Sequence, residues 1–139
     1  MNLLSEYQEK FFNCIINLKK SNLIDIPEKL KDITVELPPK NLTGDISCNA
    51  AMLLAKFNKK SPLIIGNVLK KEFLDKFVEI EKIDVVSPGF LNISFNTNFW
   101  KSYLYKIIDS NLIFGSEKKS RKKYNIEFVS ANPTGPLHV

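Results

Sequence analysis

Metal-ligating side chains are scarce in this chain. His138 is the only histidine, and the two cysteines, Cys14 and Cys48, stand far apart. That inventory cannot supply a zinc-type ligand set, so no metal site is expected. Both cysteines fall in segments that read as helices. Buried free thiols in a reducing, cytoplasmic setting are the expectation, ahead of a disulfide. Long apolar runs are missing as well: no stretch approaches the ~20 residues that span a bilayer. The N-terminus has no basic region and carries Glu6 and Glu9 early, which argues against a signal or transit peptide. Arginine is nearly absent; Arg121 stands alone in a chain of net charge +5. Lysine meets phosphate as a mobile point charge, so a polyanionic partner is permitted, while base-specific recognition must fall to other residue types. An AT-rich genome would also explain much of the lysine.

What is present suits one domain with a real core: 139 residues, 44% hydrophobic and 25% charged. Leu4, Tyr7, Phe11, Cys14/Ile15 and Leu18 recur at helical spacing and predict a helix over about Leu3 to Lys20. Ile33, Val35 and Leu37 alternate with polar residues in a short strand that ends at Pro38-Pro39. After a loop from Asn41 to Gly44, Asp45 or Ser47 caps a second helix with Ile46, Ala50, Leu53/Leu54 and Phe57 on one face; Asn49 is a first-turn residue bonding the preceding loop. Ser61-Pro62 starts a third helix facing inward through Ile65, Val68/Leu69 and Phe73.

Two strands follow, about Val78 to Val86 with a bulge near Lys82, and Phe90 to Phe95, joined by a turn at Ser87-Pro88-Gly89. Asn96 or Thr97 then opens a fourth helix with Trp100, Tyr103/Leu104 and Ile107/Ile108 as its apolar positions, closed by residues 111–115. The expected fold class is α/β (α+β), an antiparallel sheet with helices packed on one face. Residues 1–115 form that domain. Residues 116–123, rich in charge through Lys118, Lys119, Arg121, Lys122 and Lys123, form a solvated linker, and residues 124–139 begin a second unit.

That second unit opens as a half-buried strand, with Tyr124, Ile126 and Phe128 alternating with Asn125, Glu127 and Val129, and then meets turns at Asn132-Pro133 and Gly135-Pro136. The run Glu127-Phe-Val-Ser-Ala-Asn-Pro-Thr-Gly-Pro-Leu-His-Val139 resembles the entry to the catalytic domain of arginyl-tRNA synthetases. There it continues Gly-His and completes the His-x-Gly-His signature of the class I enzymes. Gly44-Asp45-Ile-Ser-Cys-Asn-Ala-Ala-Met-Leu-Leu-Ala-Lys56 and Pro88-Gly89-Phe90-Leu91-Asn92 are similar to two stretches of the N-terminal additional domain of the same family. The resemblance covers most of the chain. It implies a tRNA D-loop-binding domain followed by the truncated first strand of a Rossmann-like catalytic domain, in a piece cut from a longer protein.

The strand Phe90–Phe95 carries the sharpest functional expectation. Side chains alternate faces along a strand, so Leu91, Ile93 and Phe95 pack on the helices while Phe90, Asn92 and Ser94 project from the other face. An aromatic ring beside an amide can stack an exposed base and hydrogen-bond its edge. On residues alone, Phe90 packing on a loop and Asn92 capping a turn is the plainer reading. The resemblance reverses this: Phe90 and Asn92 match the family's D-loop base contacts, and Ser87 matches a further polar contact seen in some members.

The resemblance also implies the parent's reaction: L-arginine and ATP form an adenylate with Mg²⁺ assisting, and the arginyl group then moves to its tRNA. His138 matches the first signature histidine, which binds ATP phosphate at a helix N-terminus, within the incomplete run Ala131, Asn132, Pro133, Thr134, Gly135, Pro136, Leu137, His138 and Val139. Glu127, Ser130 and Asn132 match residues around the arginine substrate, a carboxylate being a sensible partner for a permanent cation. Gly135 stands where some members carry lysine. This chain alone is expected to be catalytically incompetent, to bind no cofactor, to be a monomer and to have no membrane partner. A non-catalytic RNA-binding module and a protein-interaction domain stay open as alternatives.

Overall fold

A computed structural model describes residues 2–18, 24–27, 30, 32–110, 123 and 125–127. The described residues form an α+β unit with four helices and a four-stranded antiparallel sheet. None of the described helices is long and apolar enough to cross a membrane.

Helix α1 (Leu3–Leu18) buries Tyr7, Phe11, Cys14, Ile15 and Leu18, the stripe its periodicity predicts; Lys19 and Lys20 lie outside the described residues. The sheet runs in the order β1 (Val35–Glu36), β2 (Ile46–Cys48), β4 (Phe90–Phe95), β3 (Ile80–Val86), antiparallel throughout. Its core face is set by register. Cys48 pairs with Val35 and Leu91, Leu91 with Val85, and Ile93 with both Ile46 and Ile83. A register shift between Ile80 and Lys82 supplies the bulge expected near Lys82. Against that face pack α1, α2 (Ala50–Asn58) and α3 (Pro62–Lys76), whose Leu54, Ile65, Leu69 and Phe73 are fully buried. The rings of Phe11 and Phe73 stack with centroids 4.4 Å apart and join α1 to α3. Helix α3 starts as its sequence dictates: Ser61 accepts from the Ile64 N–H and Pro62 takes the first helical position.

Several expectations are corrected. The stretch from Ile46 to Cys48 is a strand, where helical spacing had suggested the start of the second helix. Asp45 therefore caps no helix: its Oδ2 accepts from the Phe95 N–H at 2.7 Å and its own N–H donates to the Ile93 carbonyl at 2.8 Å, clipping the chain to the end of β4. Cys48 accordingly sits in a strand; it and Cys14 are both buried free thiols. Asn49 stands just before α2 and bonds the segment ahead of β1, in place of the Asn41–Gly44 loop, accepting from the Thr34 N–H and donating to the Asp32 carbonyl. Phe57 is exposed, because the buried face of α2 runs through Ala50, Ala51, Leu54 and Ala55. The first predicted strand shortens to Val35–Glu36, and Leu37 is 72% exposed where the chain leaves the sheet. Helix α4 (Thr97–Asp109) is capped by Asn96, which accepts from the Phe99 N–H at 2.9 Å, yet none of its residues is fully buried. The linker and all of the predicted catalytic strand except residues 123 and 125–127 lie outside the described residues.

Candidate nucleic-acid interface

With helices on one face, the sheet's other face is built by the alternate residues of each strand. Pairing aligns Glu36, Ser47, Asn92 and Asp84 in one row across all four strands. Phe90 pairs with Val86 one step along, and Ser94 with Lys82 on the other side. The turn between β3 and β4 contains Ser87 and a cis Ser87–Pro88 bond, and closes through Gly89, whose φ of +133° favours glycine. A Cβ at Gly89 would also meet Pro62 Cβ at 2.5 Å, so this turn rests directly on the start of α3.

The loop after β1 folds over part of this face. Leu37, Pro39 and Leu42 from that loop, Thr34, Glu36 and Ser47 from the sheet edge, and Val86, Ser87, Pro88, Phe90 and Asn92 enclose a pocket of about 320 Å³. All three residues expected to contact a base, Phe90, Asn92 and Ser87, line this one pocket. Gly44 lets the returning chain pass closely: at φ +124°, a Cβ there would sit 3.2 Å from Asn92 Cβ.

The three residues differ in surroundings. Phe90 is half-buried and Ser87 exposed, so a ring face and a hydroxyl are available at the rim. Asn92 is only 2% exposed, where an open projection was expected, because the loop and Ser47 close around it. Its Oδ1 accepts from Ser47 Oγ at 2.8 Å. Its Nδ2 is buried without a hydrogen-bond partner among the described residues. An unpaired buried amide donor costs about 1–3 kcal/mol, so it is a feature that calls for a reason.

Sequence reasoning missed Ser47 as a pocket-lining residue because it read 47 as a helix start. The alternation Ile46-Ser47-Cys48 between Gly44-Asp45 and Asn49 was the available signal, though three residues are too few to separate the two periods. The nearby charges are mixed. Lys82 is held by Asp84 at 2.7 Å, and Lys40 is exposed in the loop beside the pocket. Glu127 is exposed; Ser130 and residues 131–139, including Asn132 and His138, lie outside the described residues. A second, more open depression of about 420 Å³ lies between α1 and Leu30, Asp32 and Ile33, and contains none of the expected residues.

Comparison with known proteins adds independent findings. The family model described as arginyl tRNA synthetase N terminal domain matches residues 5–95. The arginine–tRNA ligase of Pelagibacter ubique (strain HTCC1062) is 44% identical across 100% of this chain, which covers 24% of that protein. That of Wolbachia pipientis wMel is 36% identical, with the same 100% and 24% coverage. The chain thus spans about a quarter of the length of the curated relatives it matches. Among solved structures, the Thermus thermophilus arginyl-tRNA synthetase superposes with a TM-score of 0.54 at 24% identity, over 73% of this chain and 15% of that one, a likeness of fold.

Proposed function

The chain belongs to the arginyl-tRNA synthetase N-terminal domain family, and on that premise we propose that it is the tRNA-contacting part of an arginine–tRNA ligase, its pocket taking one exposed base from the D-loop of the arginine tRNA. The observation that carries this reading is that Phe90, Asn92 and Ser87 line one pocket on the sheet's open face. At about 320 Å³ the pocket is at the small end of the range of roughly 300–1,000 Å³ for ligand clefts, a size suited to one planar ring.

In this reading the base leaves its stack and lies against Phe90, a contact worth ~1–3 kcal/mol. The Asn92 amide, which can donate or accept, meets the edge of the base. Ser87, at the rim, offers a hydroxyl to the adjoining sugar or base. Exposed lysines such as Lys40 add phosphate attraction that carries no sequence information and fades with salt. L-arginine, ATP and Mg²⁺ belong to the proposed activity of the parent protein. Of the residues matched to them, Glu127 is exposed, and Ser130, Asn132 and His138 lie outside the described residues.

The test is kinetic, in the parent ligase. Phe90→Ala should raise KM for tRNA about tenfold, in line with the stacking energy, and leave ATP–pyrophosphate exchange unchanged. Unaltered charging at subsaturating tRNA would contradict the proposal.

A further inference from the structure

Among the described residues lining the pocket, Glu36 of β1 is the one ionisable side chain; the others are apolar or neutral. Its neighbour Val35 is buried in the core, so alternation sets Glu36 on the open face of the sheet. Glu36 pairs with Ser47, and Ser47 with Asn92, so the three stand side by side across β1, β2 and β4. At the ordinary spacing of strands, Glu36 and Asn92 are about 10 Å apart at the backbone. An occupant that lies over Ser47 therefore has Asn92 on one side and Glu36 on the other. Glu36 is exposed, and no side chain among the described residues ion-pairs or hydrogen-bonds with its carboxylate. Asp84, the other acid of the row, is held by Lys82 at 2.7 Å and does not line the pocket.

An ionised carboxylate only accepts hydrogen bonds. It favours an occupant that presents N–H donors and disfavours one that presents carbonyl oxygens or phosphate. In the path of an RNA it would otherwise only weaken binding, because the sequence-blind attraction comes from cations. We propose that Glu36 is a specificity-determining residue of the pocket, accepting a hydrogen bond from the exocyclic amino group of the bound base, so that the site takes an amino-bearing base and discriminates against uracil, whose one ring donor is flanked by two carbonyl oxygens. The inference rests on the reading of the pocket as a base site and deepens it. Thr34, Ser47, Ser87 and Asn92 each offer a donor and an acceptor, so they suit either kind of edge. Stacking on Phe90 is tolerant of base identity. Glu36 alone has a fixed sense, and a hydrogen bond to a charged group is stronger than one between neutral groups.

The experiment measures binding of the 139-residue chain to a D-arm hairpin RNA of the arginine tRNA. Each amino-bearing loop base is replaced in turn by its deamino counterpart: adenosine by purine riboside, guanosine by inosine, cytidine by 2-pyrimidinone riboside. The wild-type chain should lose on the order of tenfold in affinity at one position, the scale of a hydrogen bond to a charged group. Glu36→Met keeps the length of the side chain and removes the acceptor; it should show less than about twofold discrimination at that position. Glu36 is exposed on an edge strand, so this variant keeps the fold. Full discrimination by Glu36→Met overturns the proposal. So does uniformly tighter binding of every hairpin by that variant, the mark of a carboxylate that only repels phosphate. A wild type insensitive to every deamino replacement, with Phe90→Ala still weakened, overturns the role of Glu36 and leaves the base site standing. If the wild type binds the hairpin no better than Phe90→Ala does, the base-site reading fails and this inference falls with it.

Discussion

Replacing Ser47 and Asn92 together by apolar residues of similar shape, Ser47→Ala with Asn92→Leu, should make the fold more stable while removing its proposed function. In the native chain the buried Nδ2 is unpaired, at a cost of about 1–3 kcal/mol. Against this stands the Ser47–Asn92 hydrogen bond, which contributes about 0.5–1.5 kcal/mol net. Removing both leaves a gain of about 1 kcal/mol, and the buried apolar surface of leucine adds to it. Shape is conserved, since leucine and asparagine branch at the same atom, so little overpacking is expected. For a chain of this size a gain of 1 kcal/mol corresponds to roughly 3–6 °C in Tm. Ser47→Ala alone should do the opposite, leaving both ends of the Asn92 amide unpaired and costing about 1 kcal/mol. Urea denaturation followed by fluorescence of Trp100, the only tryptophan, measures all three chains. The expected order is double variant, wild type, Ser47→Ala. A double variant clearly less stable than wild type would refute the reasoning, because it would mean the Asn92 amide is satisfied in the free protein. Residues kept at a cost to stability are characteristic of functional sites.

Gly66→Ala should destabilise by about 1–2 kcal/mol despite alanine's better helix propensity, because the new Cβ would lie 2.5 Å from Val85 Cγ1 in the packed α3–β3 contact. Adding Val85→Ala should relieve that clash, and a double variant no better than Gly66→Ala in urea would count against it. Burial pushes the Cys48 thiol up to about 12 from an ordinary 9.0. The folded state therefore holds this proton longer than the unfolded one, so the associated stability is complete below about pH 9 and lost as pH rises through about 12. The stability difference between wild type and Cys48→Ala should shrink over that window, and a constant difference would speak against a titrating buried thiol.

How far the sequence speaks for itself depends on the length of the signal. Helix α1 has a stripe from Tyr7 to Leu18 that repeats over four turns, and strand β4 alternates over six residues; both lie where periodicity puts them. Ser61-Pro62 and Asn96 name their helix starts through side-chain chemistry alone. Strand β2 is three residues long, shorter than one helical turn, and exists because Ile46 and Cys48 find partners in Val35, Leu91 and Ile93 from distant parts of the chain. Nothing local encodes that pairing. The same holds for Asn92: alternation gave its face correctly, but its burial comes from the loop of Leu37, Pro39 and Leu42 folding back over the sheet. Phe90 and Ser87 were legible as candidates; Ser47 joined the pocket lining only when β2 aligned it with Asn92.

The central claim is that a D-loop base of the arginine tRNA lies on Phe90, and a double-substitution cycle tests it most directly. Filter binding of the 139-residue chain to the arginine tRNA would be measured over a salt series, for wild type and Phe90→Ala, with the intact tRNA and with tRNAs made abasic at single D-loop positions. Phe90→Ala should weaken binding by about 1–3 kcal/mol at every salt concentration without changing the salt slope, since stacking releases no counterions. One abasic position should produce the same loss, and combining it with Phe90→Ala should add little further, the signature of two groups that touch. Equal affinity of wild type and Phe90→Ala for the intact tRNA, or fully additive losses at every D-loop position, would contradict the account.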